Sequence, residues 1–172
     1  MSVFTKVSHT ELLEFLKQYP VGEVVGFQGI GEGVENTNYF VDTDDGRWVL
    51  TLFERLNYAD LPFFLGLMEH LAAHGFPSAA PLHTHDGRSL VTLNDKPAAM
   101  VRRLTGQSVL FPNLAQCRAT GEVLGEMHRV AASFKGRAEN SRGAAWRTQT
   151  AQGLLPHLKP DARALLESEL AA

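Results

Sequence analysis

The chain has 172 residues, 44% of them hydrophobic, and a formal net charge of −3. A chain of this kind buries roughly 70% of its unfolded surface, which predicts one globular domain or one small lobe plus part of another. No basic field favours nucleic acid or anionic lipid as a partner, and no apolar run reaches the ~20 residues that span a membrane. The first residues lack the apolar core of a secretory leader, and the single Cys117 cannot form an internal disulfide, so a reducing, cytoplasmic setting is expected.

The first predicted element is a short amphipathic helix. Ser8 and Glu11 have the spacing of a capping box, in which each side chain binds the other residue's backbone amide. Pro20 and Gly22 end the pattern. The apolar face of the helix consists of Leu12, Leu13, Phe15 and Leu16.

Three strands follow, at about residues 23–30, 37–42 and 47–54, with the hairpin turn Asp45-Gly46 before the last one. The first two strands are joined by a glycine-rich turn, residues 31–36. A flexible turn between antiparallel strands can close over a ligand, which suits a phosphate-covering lid of the kinase type. The glycines alone fit an ordinary flexible hairpin equally well, whereas the strand that follows them argues against a dinucleotide-binding βαβ unit.

A helix is predicted at residues 59–74, with Gly75 in the position of a C-terminal stop. A strand near residues 89–93, a turn at 94–97 and a strand at 98–104 come next. Hairpins on both sides of one helix favour an α+β fold with a five-stranded antiparallel sheet and one helix packed on its face.

The rest of the chain is predicted to be mainly helical. Residues 135–148 are polar and predict a loop, and two shorter helical patterns close the chain, with Pro160 in the first turn of the second. Before that loop, a longer helix is predicted at about residues 113–134. One side of it carries Cys117, Gly121, Leu124, Met127, His128 and Ala131, which predicts packing roles for Cys117 and His128.

Several blocks of the sequence resemble one enzyme family. Residues 29–41, 48–54 and 61–71, with 100–106 and 121–128, closely resemble the homoserine kinases built on the aminoglycoside-phosphotransferase-like (protein-kinase-like) fold. The resemblance implies a phosphotransferase that uses ATP and Mg²⁺ to phosphorylate the hydroxyl of L-homoserine, on the route to threonine. It also implies that residues 1–104 form a nucleotide-binding N-lobe and that residues 105–172 begin a helical C-lobe, ending before the catalytic loop.

The same resemblance assigns nucleotide-binding roles to particular residues. Val49 would roof the adenine, and Glu69 would take the place of the helix glutamate that pairs with the strand lysine of kinases. The phosphates would be covered by the turn made of Gly31, Glu32, Gly33, Val34, Glu35 and Asn36. The hinge that hydrogen-bonds the base would consist of Met100, Val101, Arg102, Arg103 and Leu104.

One departure from the family pattern lies on a strand. Thr51 stands in place of the strand lysine, on the same strand face as Val49 and Phe53. A threonine cannot neutralise phosphate charge, so the phosphates must be held in another way.

A second departure concerns catalysis. The family's catalytic loop, His-x-Asp-x-x-x-x-Asn, and its later metal-binding aspartate do not occur in these 172 residues. The resemblance therefore implies that the catalytic Asp and Asn lie beyond Ala172, and we predict no catalytic residue within the chain. A positioned base contributes about 10²–10⁴-fold and positioning about 7–11 kcal/mol, so residues 1–172 alone are expected to give no useful turnover.

The histidines do not predict a metal site. His70 and His74 are spaced to share a helix face, but no third ligand lies near them in the sequence. The polar stretch at residues 83–86 precedes a hairpin strand, where surface residues are usual.

Two other functions stay open on the residues themselves. One is another small-molecule kinase of the same fold, with an aminoglycoside, choline or sugar acceptor, because the acceptor is selected mainly by the C-lobe. The other is a non-catalytic, truncated nucleotide-binding module. In each case residues 113–134 are expected to expose apolar surface that favours self-association.

Overall fold

The computed structural model describes residues 3–171, and the elements follow the predicted order. The helices are α1 (His9–Leu16), α2 (Leu61–Ala73), α3 (Leu114–Ala131), α4 (Ala144–Leu154) and α5 (Pro160–Ala171). The strands are β1 (Val24–Gly29), β2 (Asn36–Thr43), β3 (Arg47–Phe53), β4 (Val91–Leu93) and β5 (Lys96–Arg102). A 3₁₀ turn, Leu155–His157, follows α4.

The five strands form one antiparallel sheet in the order β1-β2-β3-β5-β4, so the predicted sheet is confirmed. The turn between β4 and β5 is shorter than predicted, because Asn94 and Asp95 alone reverse the chain, with φ of 49° and 58°. Asn and Asp tolerate this left-handed conformation, and two such residues make the tightest hairpin connection. Lys96 and Pro97 therefore already belong to β5.

One face of the sheet is buried against α1. Strands β2 and β3 alternate between buried and half-buried side chains, which is the period-two pattern of a sheet with one packed face. Helix α1 begins with the predicted capping box: Ser8 N donates to Glu11 Oε2 over 2.7 Å and Glu11 N donates to Ser8 Oγ over 3.2 Å. The shared core includes Leu12, Phe15, Leu16 and Tyr19 from the α1 side and Tyr39, Val41, Leu50, Leu52 and Met100 from the sheet.

Helix α2 packs against the C-terminal end of α3. Gly75, with φ of 80°, follows α2 at the predicted stop. The His70 Nε2 atom lies 3.0 Å from Ser133 Oγ and 3.2 Å from the Val130 carbonyl oxygen, and the rings of Phe63 and Phe134 are 5.8 Å apart. His70 is thus used for packing between helices.

The expectation that Cys117 and His128 pack in a core is wrong, because neither side chain is buried. Val130 is the buried residue of α3, close to its contacts with α2. The exposed apolar surface predicted for this helix is present: Leu114 is 90% exposed, and Val123 and Leu124 are about half exposed.

The contacts divide the described chain into two compact units, one up to Gly136 and one from Arg137 onwards. The second unit consists of α4, the 3₁₀ turn and α5. The loop predicted for residues 135–148 ends earlier, since α4 begins at Ala144 directly after Gly143; the adjacent alanines favour helix over loop. In the described part of the chain, no helix has the length and apolar character needed to cross a bilayer.

Two expectations about the organisation of the chain are left as predictions. The lobe boundary after Leu104 is one of them. The other is the expectation that the catalytic Asp and Asn lie beyond Ala172, a residue outside the described range.

Candidate functional site

The face of the sheet opposite α1 is half-buried along β2 and β3 and buried at Ala99 and Val101 of β5, and it collects several of the predicted nucleotide-binding residues. The strand registers arrange this face in rows. One row contains Asn38, Thr51 and Ala99, and the next contains Phe40, Val49 and Val101. Val49 and Thr51 are half-buried, whereas their neighbours Leu50 and Leu52 are fully buried on the α1 side. Strand alternation thus keeps Val49 and Thr51 out of the sealed core.

The glycine-rich turn lies at one end of this open face. It joins β1 to β2, and the Ile30 N–H donates to the Asn38 carbonyl over 2.9 Å immediately before the turn. Residues 31–35 are exposed. Gly33 has φ of 152°, a conformation that side chains disfavour, and a Cβ at Gly31 would meet no atom within 4 Å. The turn has the space and the backbone freedom that closing over a ligand requires.

Next to the turn, the face carries a polar pair. The Thr51 Oγ1 hydroxyl donates to Asn38 Oδ1 over 2.8 Å. Both side chains are half-buried, and they face each other across β2 and β3. Because its oxygen is bound to Thr51, the Asn38 carboxamide has its orientation fixed, with Nδ2 held 3.5 Å from the Asn36 carbonyl oxygen. A neutral, hydrogen-bonded pair thus occupies the position predicted for the strand lysine of kinases.

The other end of the face carries charge. The Arg103 guanidinium carbon lies 3.8 Å from the centre of the Phe40 ring, a cation–π arrangement. Arg103 Nη1 and Arg47 Nε each lie 3.4 Å from Asp42 Oδ1. From Asn36 to Asp42 the face is about 20 Å long, since a strand rises about 3.3 Å per residue. Arg103 and the glycine-rich turn therefore lie at opposite ends.

Glu69, which is predicted to take the place of the helix glutamate of kinases, lies beside a histidine. Its Oε1 atom lies 3.3 Å from His83 Nε2, and both side chains are about half exposed. His83 follows Pro81 and Leu82, which run beside β5: Pro81 bridges Val101, and the Leu82 N–H donates to the Met100 carbonyl over 2.8 Å. The pair thus links α2 to the segment that borders the sheet.

The predicted hinge residues divide between the two faces. Met100 is fully buried on the α1 side, and Val101, which is 9% exposed, lies on the opposite face in the row of Val49. The Arg102 side chain is exposed while its N–H donates to the Ala80 carbonyl over 2.9 Å, and Leu104 is 49% exposed. The structure therefore brings Val49, Thr51, Val101 and Arg103 to one surface with the turn, and places Met100 on the other. The nucleotide roles of all these residues stay predictions.

Two half-buried residues of the open face, Asn38 and Phe40, were not singled out from the sequence, and neither was the fully buried Ala99 in the same row as Asn38. The signal that identifies Asn38 and Phe40 is the period of two along β2 combined with the hairpin register, which pairs Asn38 with Thr51 and Phe40 with Val49. Ala99 requires knowing that β5 pairs with β3, which is a long-range contact.

A metal centre would need a cluster of ligand side chains. Within residues 3–171, no group of three or more His, Cys, Asp or Glu side chains is placed to hold a metal ion. His74 Nδ1 lies 2.8 Å from the His70 carbonyl oxygen, and His70 contacts α3, so this pair is engaged in the protein's own hydrogen bonds.

The family model and the similar proteins found by comparison are phosphotransferases. The phosphotransferase enzyme family matches residues 26–172. A homoserine kinase of Methylobacillus flagellatus is 48% identical over 99% of this chain and 53% of its own length. One from Neisseria meningitidis serogroup B is 46% identical over the whole chain and 56% of its own length. The chain spans about half the length of the curated relatives it matches.

Solved structures show the same fold. An amicoumacin kinase in complex with AMP-PNP and Ca²⁺ matches 88% of this chain and 51% of its own, with a TM-score of 0.66 and 14% identity. A spectinomycin phosphotransferase in complex with ADP and spectinomycin matches 90% of this chain and 48% of its own, with a TM-score of 0.66 and 16% identity. At these identities the comparison establishes the fold alone, which is the aminoglycoside-phosphotransferase-like fold predicted from the sequence.

We predict that Thr51 and Asn38 are energetically coupled in their contributions to the free energy of unfolding, because their side chains are hydrogen-bonded. In a double-mutant cycle of Thr51→Val and Asn38→Ala, the coupling free energy of unfolding should be about 0.5–1.5 kcal/mol, the usual net value of one hydrogen bond. Thr51→Ser keeps the hydroxyl and should retain most of the coupling. Urea unfolding of the four proteins measures it, and strictly additive effects would show that the two side chains do not interact in solution.

Proposed function

The chain belongs to the phosphotransferase enzyme family, and from this membership we propose that it supplies the ATP-binding part of a homoserine kinase. The reaction is transfer of the γ-phosphoryl group of ATP to the hydroxyl of L-homoserine, in threonine biosynthesis. The observation that carries the choice of acceptor is the 48% identity to a homoserine kinase over 99% of the chain. The fold neighbours act on other acceptors, and at 14–16% identity they do not favour those acceptors here.

The open face of the sheet is the proposed nucleotide site. Its middle row would provide the apolar surface for the adenine through half-buried Val49 and Phe40, beside the 9% exposed Val101. The glycine-rich turn would cover the phosphates at one end, and the backbone of residues 100–104 would hydrogen-bond the base at the other. The face is about 20 Å long, which accommodates an extended nucleotide along the strands.

The phosphates require a different arrangement from that of a lysine-containing kinase. Thr51 and Asn38 are neutral, and the Thr51 hydroxyl proton is taken by Asn38 Oδ1. The Asn38 Nδ2 group is therefore the donor of this pair that would orient a phosphate group, without neutralising it. Backbone N–H groups of the glycine-rich turn are the natural additional donors. We propose that Glu69 acts through His83, fixing α2 beside the sheet, since that is the contact it makes.

Mg²⁺ is part of the proposal because phosphoryl transfer from ATP generally uses it to neutralise the developing charge. The described residues provide no cluster of three carboxylate or histidine ligands, so we assign no residue of this chain to the ion. In kinase sites Mg²⁺ usually keeps several waters and is bound by substrate phosphates and one or two protein carboxylates.

The nucleotide site predicts a selective effect of added bulk. Val49→Trp should weaken binding of a fluorescent ATP analogue at least about tenfold, because an indole would fill the space proposed for the adenine. The matched control is Val25→Trp on β1, whose wild-type side chain is 70% exposed. Fluorescence titration with Mg²⁺ present gives the dissociation constants. Equal binding by both variants would show that the nucleotide does not bind next to Val49. No saturable binding by the unmodified chain would overturn the proposal.

Catalysis is predicted to need the remaining length of the relatives, where we propose that the catalytic Asp and Asn lie. The purified 172-residue chain should show no L-homoserine-dependent ADP release above a no-enzyme blank. A chimera that joins it to the rest of the 48% identical relative should restore that release, and the same chimera with Val49→Trp should lose it. A panel with an aminoglycoside, choline and a sugar tests the rival acceptors. Turnover by the chain alone, or a folded chimera without turnover, would contradict the prediction.

Self-association through exposed apolar surface is also proposed. Leu110, Phe111 and Leu114 are 85%, 92% and 90% exposed and adjoin the N-terminus of α3. An apolar patch of this kind favours association. Leu114→Glu should shift the chain toward monomer in light scattering, whereas Thr120→Glu, an exposed polar site on the same helix, should not. A wild-type chain that is monomeric at all concentrations would contradict this.

We propose a reducing, cytoplasmic setting because Cys117 is an exposed, unpaired thiol. Thiol trapping in intact cells would measure its redox state.

A further inference from the structure

A segment outside the nucleotide face connects the strands at the end of the sheet that carries the glycine-rich turn. We call residues 3–7, which precede α1, the N-terminal arm. At its start, Val3 lies against β1: a Cβ built on Gly29 would be only 3.0 Å from Val3 Cγ2. Near its end, the Lys6 carbonyl accepts a hydrogen bond from Asn94 Nδ2 over 3.1 Å, in the turn between β4 and β5. The arm therefore contacts both outer parts of the sheet.

Between these points the arm is bound by Thr37, the second residue of β2. Thr37 is fully buried. Its Oγ1 accepts hydrogen bonds from the backbone N–H groups of Phe4 over 2.9 Å and Thr5 over 3.0 Å, and it donates to Glu54 Oε1 over 2.7 Å. One hydroxyl thus joins the arm, the first part of β2 and the residue that follows β3.

Tyr39 holds the arm one step further along. Its hydroxyl accepts the Val7 N–H over 2.9 Å and donates to the Thr5 carbonyl over 3.1 Å. Its ring stacks on Phe27 of β1, with the ring centres 4.7 Å apart. Tyr39 is also the strand partner of Gly29, so the same residue contacts the arm and the strand that enters the turn.

The Glu54 carboxyl, which accepts the hydrogen bond from the Thr37 hydroxyl, is ionised. Burial by itself raises the pKa of this carboxyl, but hydrogen bonds from Thr37, Thr5 and Lys96 outweigh burial and hold the pKa below its ordinary value. Lys96 Nζ, on β5, lies 3.4 Å from Glu54 Oε2. The arm is therefore connected to the β5 side of the sheet through an ionised carboxylate.

These contacts matter for the turn because β1 is an edge strand with β2 as its strand partner. The hairpin that carries the turn would otherwise be held to the sheet from the β2 side alone. We propose that the N-terminal arm fixes the glycine-rich turn relative to the sheet, with Thr37 as its central positioning residue. The structural part of this proposal is independent of any ligand, and its consequence for nucleotide affinity rests on the function proposed above.

The test compares Thr37→Val with Thr37→Ser. The valine has nearly the same shape but loses all three hydrogen bonds, and the serine keeps the hydroxyl. Hydrogen exchange of the Ile30 N–H, relative to that of Leu50 in the sheet centre, reports loosening of the hairpin next to the turn. Thr37→Val should raise this ratio about tenfold and weaken binding of the fluorescent ATP analogue by a similar factor. In Thr37→Ser both quantities should stay near their wild-type values.

Two further variants keep the test decisive. Tyr39→Phe removes the other hydroxyl that binds the arm and should raise the same exchange ratio even if Thr37→Val fails to fold. Leu16→Ala destabilises the shared core from α1 and should not raise the ratio, because global unfolding speeds exchange of Leu50 as well. A wild-type ratio in both Thr37→Val and Tyr39→Phe, or an equal rise in Leu16→Ala, would overturn the proposal. If the unmodified chain binds no nucleotide, the proposed function fails, and the exchange ratio still decides the role of the arm.

Discussion

Burial of one sheet face against α1 is the constraint on which the rest of this structure depends. Side chains alternate along β2 and β3, so packing Val41, Leu50 and Leu52 into the core necessarily turns Phe40, Val49 and Thr51 to the opposite side. A one-residue slip would exchange the two sets and expose the core. The half-buried face that we propose for the nucleotide therefore follows from the way the core is formed.

At the edge of the sheet, the hairpin that carries the glycine-rich turn has strand contacts on one side only. A glycine-rich turn needs backbone freedom to close over a ligand, but it is carried by this edge hairpin. The N-terminal arm provides contacts to this hairpin from the core side, through the Thr37 and Tyr39 hydroxyls. The exposed residues 31–35 lie between Ile30, whose N–H donates to the Asn38 carbonyl, and Asn36, the first residue of β2.

The two ends of the open face differ in charge. At the Arg103 end, two guanidinium groups share the Asp42 carboxylate, and one of them also covers the Phe40 ring. At the turn end, the Thr51–Asn38 pair is neutral. In the proposed function, this arrangement leaves phosphate charge to the turn's backbone donors and to Mg²⁺, which differs from the lysine–glutamate arrangement of protein kinases.

Much of the fold could be predicted from the sequence because its signals are local. The capping box at Ser8 and the stop at Gly75 act over a few residues, and period-two alternation placed Val49 and Thr51 on one face. The two hairpins were also predicted, but their turns are Asp44-Asp45 and Asn94-Asp95, not residues 45–46 and 94–97. The resemblance identified the family for the same reason, since its blocks are continuous in sequence. The pairing of Glu69 with His83, the stacking of Arg103 on Phe40 and the binding of the arm by Thr37 join residues far apart in the chain. Only the tertiary structure decides such contacts, and it also decided that Cys117 and His128 lie outside the core, because a helical pattern indicates which side chains share a face but not whether another element covers it.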